Sequence, residues 1–171
     1  MGLSVAISGG IILTVMLILF ISVPGYIDPI FSVGDASHQS SKSMNSILKT
    51  QISLDSLVAL PGSPKINFTL NNEGGEKLWD YNKFDLFINY DSSAGKKTET
   101  LSYAGSCQGG VPVATSWCIE EIIWDLVDSG VLNKGESALI RSQVLQNPVT
   151  GVVVVSVSTQ NGVETSTSAA I

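Results

Sequence analysis

The sequence predicts a mainly β protein with one long N-terminal α-helix: an apolar anchor helix followed by an Ig-like antiparallel β-sandwich. Three observations carry this. Residues Leu3 to Val23 contain no charged side chain, and no Asp, Glu, Lys or Arg occurs before Asp28. From Gln51 onward the apolar residues recur at every second position, the period of a strand with one buried face. Turn-forming clusters then punctuate the chain at short, regular intervals, as in sandwiches. The expected organisation is a transmembrane or filament-core helix over 1–27, a stalk or linker over 28–50, and the sandwich over 51–171.

The first stretch, LSVAISGGIILTVMLILFISV, is long enough as a helix to reach roughly 30 Å, the thickness of a bilayer's hydrocarbon core. A cleaved secretory signal lacks support, because no Lys or Arg precedes the apolar run and no A-x-A site follows it. A buried helix of a soluble domain rarely stays apolar all round for so many turns. The expected membrane or filament-core residues are therefore Leu3, Val5, Ile7, Gly9, Gly10, Ile11, Leu13, Leu17 and Phe20. Gly9 and Gly10, with Ser4, Ser8 and Thr14, are small enough to admit a second helix closely, although glycine is common in membrane helices anyway. Pro24 and Pro29 follow, and each disfavours helix at the residue before it. The first basic residue is Lys42, too far along to orient the segment by charge.

Residues 30–50 are rich in Ser and poor in large apolar groups. Met44, Ile47 and Leu48 sit at helical spacing, so a helix resuming up to Thr50 is expected, against the alternative of a flexible Ser-rich linker.

In the body, Ile52, Leu54 and Leu57 open the alternation. Ile66, Phe68 and Leu70 alternate with Lys65, Asn67 and Thr69, and Phe84, Leu86, Ile88 and Tyr90 form a second set. Ile66, Phe68, Leu86 and Ile88 are expected to face inward. Lys97 to Tyr103 return the chain as a hairpin partner. Trp117 to Leu126 fits a strand or a short helix. Val152 to Val157 is β-branched, and Asn161-Gly162 joins it to a last strand over Val163 to Ala169.

Composition narrows the function. The net charge of −6 argues against nucleic acid as a partner. Only 14% of the residues are charged, and the abundant Ser, Thr and Asn suit a surface outside the cell. Cys107 and Cys118 are either a disulfide in an oxidising compartment or two buried thiols. Two cysteines cannot hold zinc alone, and His38, the single histidine, lies far off. Asn67-Phe68-Thr69 fits the N-glycosylation acceptor pattern, with an unmodified surface asparagine as the alternative. Glu121, Asp125 and Asp128 have helical spacing, but no calcium-loop pattern surrounds them. Gly9-Gly10 and Gly109-Gly110 lack the Lys-Ser/Thr of a phosphate loop, and no G-x-S-x-G motif is present. No cofactor, metal or catalytic residue is expected. Trp79, Trp117 and Trp124 read as core anchors, given the area each can bury.

The order of these features resembles a known family. An apolar N-terminal helix precedes an all-β domain; Asn71-Asn72-Glu73-Gly74 ends one strand; Trp79 follows; and Lys83-Phe84-Asp85-Leu86-Phe87-Ile88-Asn89-Tyr90 forms the next. Trp117 then precedes Val131-Leu132-Asn133-Lys134-Gly135-Glu136. This is similar to the archaeal archaellins (archaeal flagellins) and, more closely, to the archaellum accessory (stator) proteins FlaF and FlaG. Archaellins carry a basic leader cut just before the apolar run, whereas here only Met1-Gly2 precede it. The resemblance implies a non-enzymatic membrane-anchored accessory component whose extracellular sandwich grips the surface-layer protein or other archaellum subunits. The exposed edge strands of a sandwich pair readily with another chain, so a homo-oligomer, or a heteromer with a related accessory protein, is expected. Two other readings stay open: a pilin-like subunit that polymerises through its helix into a filament, and an anchored enzyme or solute-binding protein.

Overall fold

The computed structural model describes the backbone of residues 2–22, 38–107 and 109–171, with side chains over 8–21 in the first of these. The chain divides into two compact units, Met1–Met44 and Asn45–Ile171.

In the first unit, helix α1 spans Gly2–Ser22. The expected long apolar anchor helix is not borne out. Among the described residues no helix is long and apolar enough to cross a membrane. The part of α1 with described side chains, residues 8–21, reaches only about 20 Å at 1.5 Å per residue. The apolar run therefore does not establish a spanning segment. Pro24, Pro29 and residues 23–37 lie outside the described residues. Residues 38–49 are helical, and the last turn of that segment belongs to the second unit.

The second unit holds eight strands: β1 Ile52–Ala59, β2 Lys65–Asn72, β3 Asp85–Ser92, β4 Gly95–Ser106, β5 Ser116–Ile123, β6 Ser137–Gln143, β7 Val152–Ser158 and β8 Glu164–Ala170. The Ig-like antiparallel sandwich is also corrected. The strands form one hydrogen-bonded order, β1-β2-β6-β5-β4-β3-β7-β8, and β1 and β8 at its two ends approach each other, so the sheet nearly closes. The pairing of β4 with β5 is parallel, and the remaining pairings are antiparallel. The physical cause is the length of β4. Its first half pairs with β3, from Gly95 to Leu101, and its second half with β5, from Ser102 to Ser106. One strand thus joins what would otherwise be two faces, a role that alternation and turn spacing do not encode.

The alternation did place the core. Ile66, Phe68, Leu86 and Ile88 are all at most 2% exposed, as expected. They pack with Tyr90, Leu101, Trp117, Ile140 and the inward valines of β7, Val153, Val155 and Val157. Full burial of such side chains is worth about 1.5–3 kcal/mol each. Ser142, inside this core, donates to the Ile66 carbonyl at 2.6 Å, so its hydroxyl is not left unpaired. The period fails in β1 at Ser56, whose φ of 52° marks a bulge between Asp55 and Val58. Trp117 to Ile123 resolves as strand, so Glu121, Asp125 and Asp128 do not line a helix.

The helical segment is capped by the sheet module. The Lys49 carbonyl accepts from Gly75 N at 2.8 Å and Glu76 N at 3.2 Å, while the Gln51 carbonyl accepts from Glu73 N and Gly74 N at 2.9 Å each. Helix ends leave such carbonyls unpaired, and here backbone N–H groups of the β2 exit satisfy them. Asn161 in the β7–β8 turn donates to Ser46 Oγ at 3.0 Å and Thr50 Oγ1 at 2.6 Å. The end of this segment is thus fixed to the β module rather than loosely tethered.

Candidate interaction site

The site begins where β5 ends. Trp124 has φ of 65°, a left-handed conformation costly for a bulky side chain, and Asp128 has φ of 55°. Local bonds hold this loop. Leu126 N donates to the Trp124 carbonyl at 2.7 Å. Asp125 Oδ2 accepts from Gly130 N at 3.0 Å and from Ser129 Oγ at 3.2 Å. Asn133 Nδ2 donates to the Val127 carbonyl at 2.6 Å, and Lys77 forms an ion pair with Asp128. Beneath it, Tyr81 donates to the Gly130 carbonyl at 3.3 Å and accepts from Leu132 N at 3.1 Å. Burial raises the Tyr81 hydroxyl pKa far above the ordinary tyrosine value.

The braced loop presents apolar side chains to solvent. Trp124 is 73% exposed, Leu126 82% and Val127 60%. Trp79, 61% exposed, follows Leu78, which bridges to Leu132. The expectation that all three tryptophans anchor the core therefore holds only for Trp117, which packs against Tyr103 with ring centroids 4.6 Å apart. Exposed Trp and Leu on a pre-shaped loop suit protein contact, where aromatic anchors supply most of the binding energy. The sequence signal was the run Ile122-Ile123-Trp124, which continues past the last strand residue without a polar break.

Cys107 and Cys118 are joined, with Sγ atoms 1.95 Å apart and Cα atoms 5.2 Å apart. The bridge ties the exit of β4 to β5, where Cys107 N also donates to the Ile119 carbonyl at 2.9 Å. Asn67 lies on the exposed face of β2. The acids are dispersed: Glu120 pairs with Arg141, Asp80 with Lys83 at 2.8 Å, and Asp128 with Lys77. Among the described residues no group of three or more His, Cys, Asp or Glu could hold a metal ion.

The helix residues singled out in the sequence belong to the first unit. Gly9 and Gly10 face open space, and Ile11, Leu13, Leu17 and Phe20 are exposed. Thr14 returns its hydroxyl to the Gly10 carbonyl at 2.8 Å. Leu3, Val5 and Ile7 fall within α1, but their side chains lie outside the described residues.

No family model matches the chain, and no curated protein sequence matches it. Solved structures do. The archaellum periplasmic stator protein complex FlaF and FlaG from Sulfolobus acidocaldarius matches with a TM-score of 0.50 and 16% identity, over 70% of this chain and 89% of that one. This chain shares its fold with the archaellum stator proteins. FlaG alone, from the same organism, matches with a TM-score of 0.49 and 16% identity, over 70% of this chain and 99% of that one.

Proposed function

We propose that this chain is an archaellum accessory component that works outside the cell by adhesion, as part of a stator, and has no enzymatic role. The observation that carries the reading is the fold shared with the FlaF–FlaG stator complex, at a TM-score of 0.50. A rotating filament needs a fixed counterpart to take the reaction torque, and a stator part must transmit load without deforming. The disulfide across β4 and β5, the nearly closed sheet and the capped helical segment are features that resist such load. The loop bearing Trp124, Leu126 and Val127 supplies a contact surface, and its partner is a related accessory protein in a heteromer. Surface-layer protein is the structure that the assembly grips.

The test is co-purification of the tagged chain from native cell envelopes, with cross-linking before extraction. The proposal expects a related β-domain accessory protein and surface-layer protein in the cross-linked fraction. Recovery of neither, with the tagged chain itself intact and folded, would sink it.

A further inference from the structure

We infer that Asn67 is an attachment site for an N-linked glycan, added while the chain is exported; the inference rests on the extracellular reading above. Asn67-Phe68-Thr69 is the single Asn-x-Ser/Thr triplet in the sequence. The structure adds three independent points. First, the folded strand leaves room for the product: Phe68 is 2% exposed, while Asn67 faces solvent on the other side of β2, where a glycan lies outside the core. Second, the Asn67 amide takes no hydrogen-bond partner among the described residues. The neighbouring asparagine Asn71 donates to Asp55 and Ser53, Asn72 to two carbonyls, and Asn89 to Thr98. A glycan on Asn67 therefore displaces no native bond. Third, Asn67 lines a surface hollow with Lys65, Val111 and Arg141. Arg141 is held in place by its ion pair with Glu120, and Val111 offers an exposed apolar surface on which a first sugar ring can rest.

The glycan reaches Asn67 by one displacement at its anomeric carbon, C1. The donor is an oligosaccharide carried on a lipid phosphate. The Asn67 Nδ2–C1 bond forms as the bond from C1 to the phosphate oxygen breaks. The phosphate leaves with the electron pair, and the proton lost from Nδ2 passes to a base of the transferase.

The fold also fixes the timing. In the folded module β2 is flanked on both sides, Asn67 pairing with Val58 of β1 and with Arg141 of β6. The backbone around Asn67 is then unavailable to a transferase that needs an extended, unpaired acceptor. β6 follows β2 late in the chain, so the β6-facing edge of the triplet stays unpaired until Ser137–Gln143 has emerged.

The experiment is peptide mass analysis of the chain purified from native cells, non-reduced, with Asn67→Gln and Thr69→Val expressed in the same host. The expected result is a mass excess on the tryptic peptide containing Asn67 and Thr69, absent from both variants, with Cys107 and Cys118 disulfide-linked in the same sample. An unmodified peptide beside an intact disulfide would overturn the glycan inference and leave export standing. An unmodified peptide beside free thiols would overturn both. The Asn67→Gln chain is expected to keep its melting temperature, because the side chain it replaces is solvent-facing and unbonded.

Discussion

Asn72 and Leu132, far apart in sequence, are joined by a 2.9 Å hydrogen bond from the buried asparagine amide to the leucine carbonyl. The same amide donates to the Glu76 carbonyl at 2.8 Å, and its Oδ1 accepts from Gly74 N at 3.1 Å. Backbone bonds reinforce the junction, from Asn72 N to the Glu136 carbonyl and from Gly135 N to the Asn72 carbonyl, at 3.1 and 2.7 Å. Two sequence segments that carry the family resemblance, Asn71 to Gly74 and Val131 to Glu136, are therefore one structural unit.

We predict that Asn72→Ala destabilises the module by about 3 kcal/mol, since it strands buried partners whose individual cost is about 1–3 kcal/mol. Urea unfolding of variant and parent at equal m-value measures this. A loss below about 1 kcal/mol would show that the junction is not held by the side chain.

Gly74 is required for a different reason. A Cβ there would meet the Lys49 carbonyl oxygen at 2.3 Å and Gln51 N at 2.4 Å, both backbone atoms. Gly75, next to it, has open space around the same position. Gly74→Ala is predicted to lower stability by more than about 2 kcal/mol, whereas Gly75→Ala changes it little, since surface replacements usually stay within about 0.5 kcal/mol. Thermal unfolding of the two variants side by side decides the matter, and equal effects would contradict the docked helix end.

Alkaline pH should weaken the fold. Burial, and next the hydrogen bond to Glu99, pushes the Tyr90 hydroxyl pKa up to about 12 from 10.0. Burial raises Tyr81 and Tyr103 as well. A tyrosine whose folded pKa exceeds its unfolded value contributes stability that is complete below pH 10, declines above it, and is gone once the folded pKa is passed. Denaturation midpoints are thus predicted to fall between pH 10 and 12. Tyr90→Phe should start lower, because Gln146 N loses its acceptor, and should decline less steeply. An identical slope in parent and variant would refute this role.

On the proposed contact, variants of the exposed loop should affect binding without affecting folding. Trp124→Ala and Leu126→Ser are predicted to leave the melting temperature within a few degrees of the parent while weakening the heteromer by roughly tenfold or more each, as for interface anchors. Affinity by calorimetry against the partner recovered from envelopes gives the readout. Unchanged affinity in both variants would move the interface elsewhere.

Strand positions and the inward set were legible because side chains alternate strictly across a sheet: Ile66, Phe68, Leu86 and Ile88 announce themselves. The joining role of β4 was not, since its outward Thr98, Thr100 and Ser102 look like any solvated strand. Trp124 misled for a related reason. Apolar character predicts burial, but Trp124 lies just past the end of β5, with a left-handed backbone and an exposed side chain. Asn72 reads in the sequence only as part of a strand end, and its partners become visible only when Leu132 is brought beside it.

The most direct measurement is the swimming speed and filament count of native cells lacking this chain, scored by video and electron microscopy. A stator part predicts filaments of normal number and length on cells that fail to swim, with motility restored by the parent gene and not by a Trp124→Ala/Leu126→Ser double variant. Loss of the filaments themselves would make the chain a structural subunit, and unimpaired swimming would remove it from the motor altogether.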